Sequence, residues 1–131
     1  MILNTLLRET LTDYLGELFE NGKLEIYKGI QSDSDDLPDS NDLLVSIDLT
    51  YICFNASNNG EITIAGIWFG TVDQNGTASW FRLRNVDNDI AITGSISLEG
   101  NGGDMILDDL DLIENGVIKV NDFTIALPNE I

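Results

Sequence analysis

From residue 60 to residue 128 the chain runs in short stretches of alternating apolar and polar residues, broken every eight to twelve residues by Gly, Asn or Asp. A helix cannot be built on that period. Short strands joined by tight turns can, and regular spacing of this kind reads as an all-β sandwich or barrel. Asn-Gly begins at positions 21, 59, 75, 101 and 115, and this dipeptide supplies the positive φ angles of tight hairpin turns. Asn75-Gly76 is therefore expected to join strands 67–72 and 77–84 as a hairpin. Asn115-Gly116 is expected to join 105–113 to 117–125. Strands are also expected at 23–28, 43–50, 61–69 and 90–98. That makes about eight strands, enough for two sheets packed ~10 Å apart.

Residues 2–20 alone carry a helical period. Leu3, Leu7, Leu11, Leu15 and Leu18, with Tyr14, recur at three- and four-residue steps and form an apolar stripe. Asn4 or Thr5 is placed to cap its start, and Asn21-Gly22 to end it. The stripe has to be buried, because a lone helix of this length is marginal in water. Its own sheet is the favoured cover, and a neighbouring subunit is the other option. The expected fold is mainly β, an antiparallel sandwich of jelly-roll-like or Ig-like character with one N-terminal amphipathic helix. It makes one domain over 1–131, with the helix in 1–22 and the sandwich in 23–131.

The charge narrows the function. Twenty-three acidic residues stand against six basic ones, for a net charge of −17, and such a field repels phosphate backbones and anionic membrane surfaces. No signal peptide and no apolar run of membrane-spanning length is readable, so neither secretion by a leader nor a membrane partner is expected. Histidine is absent, which removes the commonest general base and the commonest metal ligand. Cys53 is the sole cysteine, so no intrachain disulfide forms, and the apolar run around it reads as a buried, inert thiol.

No residue set reads as catalytic, and no cofactor is expected. Residues 31–42 hold five aspartates and read as a solvated loop. An EF-hand register fails from Asp33 and from Asp87, because Pro38 and Ile92 fall where the loop needs glycine. Loose calcium binding by Asp104, Asp108, Asp109 and Asp111 is weighed against a plain acidic surface, which is preferred. Tyr51, Trp68 and Trp80 are weighed as a stacking platform for sugar rings against core packing, which aromatics of this kind more often serve. Alternation along 77–84 puts Trp80, Arg82 and Arg84 on one strand face. Charges in mid-strand are usually paired, so Arg82 is expected to be a partly buried structural cation, with Asp104 as its first-choice partner.

The order of these segments resembles a group of small proteins encoded among tailed-bacteriophage virion genes. The residues that carry it are Gly22 to Gly29 after the helix, the Leu43–Ser46 strand, and Gly76 to Leu83. Gly94 to Ser97, Gly102 to Asp104 and the closing Phe123 to Pro128 complete it. The resemblance covers nearly the whole chain and implies a non-enzymatic virion protein, in first place a capsid decoration or cement subunit on the outer head surface. Tail or neck placement and a displayed glycan-binding module are the alternatives. It implies capsid or other virion proteins as partners, a homo-oligomeric array on the particle, and assembly in the host cytoplasm. Asn88-Asp89 departs from the group, in that glycine would make a simpler turn there.

Overall fold

A computed structural model describes residues 1–33 and 35–131; Ser34, inside the acidic loop expected at 31–42, lies outside the described residues. The chain is mainly β with one N-terminal helix. Helix α1 spans Thr5–Glu17, and strands follow at Lys23–Tyr27 (β1), Leu43–Asp48 (β2), Glu61–Thr63 (β3), Phe69–Thr71 (β4) and Gly76–Thr77 (β5). Trp80–Arg84 (β6), Ala91–Ser97 (β7), Met105–Leu107 (β8), Asp111–Leu112 (β9) and Val117–Ala126 (β10) complete the set. One sheet runs β2-β1-β6-β7-β8-β10-β3, with β4 also on β10, while β5 and β9 form a small second sheet. The pairings are antiparallel except for β7 beside β8, which is parallel.

Register across β2, β1, β6 and β7 explains the core. Ile47, Leu24, Leu83 and Ile92 lie in one cross-strand row, and Val45, Ile26, Phe81 and Gly94 in the next. These rows face inward, and Leu24, Ile26, Val45, Ile47, Phe81 and Leu83 are all buried. Gly94 is required in its row, because a Cβ there would lie 2.7 Å from Phe81 Cε1. The register slips between Ile26 and Tyr27, whose partners are Val45 and Leu43. Leu44 is the extra residue of this bulge, so Leu44 and Val45 are both buried although adjacent. The alternation expected through 43–49 is broken there.

The sheet curls until β4 lies against β2. Asp73 N–H donates to the Leu44 carbonyl at 2.8 Å, and Gln74 Nε2 donates to the carbonyls of Asn41 and Leu43, both at 2.7 Å. A Cβ on Gly70 would meet Ile47 Cγ1 at 2.9 Å and Val45 Cγ2 at 3.0 Å. Glycine is what lets the two strands come so close. Phe54, Trp68, Phe81 and Phe123 meet inside the curl, with the Phe81 and Phe123 rings edge to face at 5.2 Å.

Two expected connections are different in the structure. Asn75-Gly76 does not make a hairpin. Strand β4 pairs with β10, and Gly76 enters β5 to pair with Leu112 of β9. Asn75 Oδ1 accepts instead from Glu114 N at 2.8 Å. The expected 105–113 strand divides into β8, which does pair with β10, and β9, which leaves for the small sheet. The dipeptide that does close a two-residue hairpin is Asn59-Gly60, with φ of 53° and 77° and reciprocal bonds between Asn58 and Glu61.

Helix α1 packs on this hairpin and on β3. Asn4 is the N-cap, its Oδ1 accepting from Leu7 N at 2.9 Å. Ser57 N donates to Asp13 Oδ1 at 2.7 Å, Asn59 N to Glu9 Oε1 at 3.2 Å, and Arg8 Nη1 to the Asn59 carbonyl at 3.0 Å. The seated face is formed by Thr12 and Gly16, followed by Phe19 just past the helix end, all buried. A Cβ on Gly16 would sit 3.2 Å from Ile62 Cδ1 and 3.3 Å from Phe54 Cβ. The glycine that weakens the helix by about 1 kcal/mol is therefore what allows its close seating.

The leucine stripe is not the seated face, which corrects the expectation that its own sheet covers it. Leu15 and Leu18 are half-buried against the core, and Leu3 is partly exposed. Leu7 and Leu11 are 44% and 46% exposed, and Tyr14 and Leu6 more so. At 100° per residue the stripe's centre lies more than a quarter turn away from Thr12 and Gly16.

Candidate interaction surface

The outer face of β1 and β6 carries the polar residues displaced from the core. Register sets Glu25 opposite Arg82, Lys23 opposite Arg84 and Tyr27 opposite Trp80. Arg82 Nη1 lies 3.3 Å from Glu25 Oε1, and Arg84 Nε 3.5 Å from Glu25 Oε2. The side chains of Arg82 and Glu25 are only 5% and 13% exposed. Arg82 is thus a buried structural cation, but its carboxylate is Glu25 rather than Asp104. The cause is register: Asp104 reaches β7 instead, where its Oδ2 accepts from Ser95 N at 3.0 Å. The Nε atoms of both arginines are buried without a hydrogen bond, so Arg84 meets Glu25 as a charge and not as a donor.

Asn88, at φ 59°, accepts from Arg82 Nη1 through Oδ1 at 2.7 Å. Glycine would permit that backbone but could not bind the guanidinium. Tyr27 stacks on Trp80 with ring centroids 4.5 Å apart and planes 16° apart, and its hydroxyl donates to Glu25 Oε1 at 3.2 Å. Burial first, then the charge of Glu25 and this hydrogen bond, push the Tyr27 phenol above the ordinary tyrosine range. Trp80 Nε1 donates to the Lys28 carbonyl at 3.3 Å, and Gln31 Nε2 to Thr93 Oγ1 at 3.2 Å. The chain after β1 is folded back over this face, and Arg82, Asn88 and Asp89 border an open hollow of about 560 Å³ with Asp35 and Leu37 opposite.

The sugar platform is not assembled. Trp68 and Trp80 are 4% and 3% exposed, one packed on Phe54 and Phe123 and the other on Tyr27. Of the three aromatics weighed, only Tyr51 is open to solvent. The aspartates weighed for calcium are spent locally. Asp108 accepts from Asn121, Asp109 from Asp111 N, and Asp111 from Thr77. Among the described residues no group of three His, Cys, Asp or Glu side chains is placed to hold a metal. Cys53 is fully buried, and burial, then the nearby Glu20, pushes its thiol up to about 11.

The helix keeps an apolar surface open to a partner. Its outward crest carries Leu6, Leu7, Leu11 and Tyr14. Along one flank, between α1 and β3, runs a groove of about 240 Å³ floored by Phe54, Ala56 and Ile62 and edged by Asp13, Glu17 and Glu20. Apolar area rimmed by charge is the usual composition of a protein-binding surface. Stripe periodicity had located the leucines, but nothing in the sequence marked Glu25 or Asn88 as a partner of Arg82. Glu25 becomes recognisable only once β1 is known to lie beside β6. No helix among the described residues is long and apolar enough to cross a membrane. No family model, curated protein or solved structure matches the chain.

Proposed function

We propose that this chain is a non-enzymatic structural protein of a phage virion, a capsid decoration or cement subunit that binds shell protein from the outer surface. The observation that carries this reading is the open crest of α1, a run of leucines and one tyrosine on a helix already seated on its sheet by another face. Intramolecular packing does not account for keeping that crest apolar, whereas a partner does. The order of segments shared with small phage virion proteins supports the same reading. A net charge of −17 favours a site outside the shell, away from packaged DNA. Copies are then arrayed by the shell to which they bind.

Particles purified from the encoding phage and examined by mass spectrometry and cryo-electron microscopy test the proposal. Density on the head exterior that fits this fold is the expected result. Absence of the chain from the particle sinks the reading, and density at the tail or neck replaces the decoration role with that one. The glycan-binding alternative loses its support with the burial of Trp68 and Trp80.

A further inference from the structure

We infer that the crest of α1 and the groove beside it receive one kind of partner segment, an amphipathic protein segment carrying apolar residues next to Lys or Arg. This rests on the reading of the chain as a binding protein and specifies the chemistry of what it binds. The crest supplies the apolar half of the contact through Leu6, Leu7, Leu11 and Tyr14. The groove supplies the charged half. Its floor holds Phe54, Ala56 and Ile62 beside the polar Asn55, and its rim holds Asp13, Glu17 and Glu20.

Asp13 is engaged by Ser57 N. The carboxylates of Glu17 and Glu20 have no hydrogen-bond or ion-pair partner among the described residues. The helix carries one cation, Arg8, and that side chain is tied to Asn59 on the opposite flank. A long basic side chain fits a groove of this composition, because it lays its methylene stem on apolar surface and holds its charge at an acidic rim. A second copy of the chain fits poorly. It brings the same acidic flank and another net charge of −17, and like charges juxtaposed across an interface oppose docking.

The test uses the full chain and a fluorescein-labelled amphipathic peptide of leucine and lysine, with a leucine–glutamate peptide of the same pattern as its counterpart. Anisotropy titration near physiological salt is expected to show binding of the lysine peptide alone. Leu7→Ser with Leu11→Ser should weaken it about 10- to 30-fold, from the loss of two partly buried leucines. Glu17→Gln with Glu20→Gln should weaken it about 3- to 10-fold, as two rim charges of modest individual worth are removed. Asp108→Asn with Asp109→Asn removes the same charge elsewhere and should change it less than about 2-fold. Leu7→Ala with Leu11→Ala, which keeps helix propensity, guards against a folding artefact, and circular dichroism checks each variant.

Equal weakening by the Asp108/Asp109 pair would mean general attraction to an acidic chain and would overturn the inference. An unchanged affinity in the leucine variants would overturn it too. So would a wild-type dimer in sedimentation that the leucine variants convert to monomer, since a second copy would then be the occupant. These outcomes are separate from the particle experiment. A chain present on virions whose groove variants bind normally refutes only the partner chemistry. A chain absent from virions whose groove selects the lysine peptide refutes only the virion role.

Discussion

Glu25→Gln is the sharpest test of how the outer face is held. The carboxylate lies between Arg82 at 3.3 Å and Arg84 at 3.5 Å, and the three side chains are 5%, 13% and 15% exposed. At an effective dielectric of about 20, one pair at this distance is worth about 5 kcal/mol before desolvation is counted. The amide keeps the volume and the Tyr27 hydrogen bond but leaves two neighbouring guanidiniums buried with no counter-charge between them. Breaking a buried pair from one side costs about 3–5 kcal/mol. With a urea slope of about 2 kcal/mol/M, the midpoint should fall by about 1.5–2.5 M. Arg82→Met should cost less, about 1–3 kcal/mol, because Glu25 keeps Arg84 and the Tyr27 hydroxyl while the methionine fills the space of the arginine stem. Urea unfolding followed by tryptophan fluorescence reads both. A Glu25→Gln shift below about 0.3 M, or a larger loss in Arg82→Met, would refute the view of Glu25 as the shared counter-ion.

Gly94→Ala puts a methyl 2.7 Å from the Phe81 ring and 2.9 Å from Asp104 Oδ2, and should cost about 1–3 kcal/mol in thermal or urea unfolding through overpacking. Leu7→Asp with Leu11→Asp should leave the fold intact, within about 1 kcal/mol of the parent, whereas Phe19→Ala, which empties a fully buried site, should cost about 3–5 kcal/mol; equal losses in the two would mean that the helix is seated by its stripe after all. The Cys53 thiol, raised to about 11 in the folded chain, adds stability that is fully present below its unfolded pKa and fades as pH rises through the folded value, so stability should decline between about pH 9 and pH 11. Native protein at pH 8 should also leave a thiol reagent unreacted until denaturant is added.

Local signals proved reliable for the helix, its cap and several of the turns. The period of residues 5–17, the Asn4 cap, the alternation from Lys23 to Ile26 in β1 and from Gly94 to Ser97 in β7, and the positive φ of Asn21, Asn59 and Asn115 follow from sterics and nearest neighbours. The helix orientation was not legible, because hydrophobic spacing marks where apolar side chains lie and not which side is covered. Here the contact is made by Thr12 and Gly16, whose smallness permits a close approach that leucines would prevent. Asn75-Gly76 carries the same turn signal as Asn59-Gly60, yet β10 outcompetes the local partner for β4. Arg82 could be recognised as needing a carboxylate, since a mid-strand charge seldom goes unpaired. Which carboxylate depends on a pairing between segments more than fifty residues apart, and no local pattern encodes that register.

The near-closure at Gly70 restricts the ways in which copies of this chain can grow into a larger body. A sheet polymerises by offering unpaired backbone groups to the next strand. On the β2 side the carbonyls of Asn41, Leu43 and Leu44 are already taken by Gln74 and Asp73. On the β3 side, residues 53–58 complete the ladder and are themselves held by α1 through Ser57 and Asn59. Crowding the protein therefore brings side chains into contact at these two margins and not unpaired strand edges. Gly70→Val, which would lever β4 away from Val45 and Ile47, would remove that restraint and open the β2 edge to a strand from another copy.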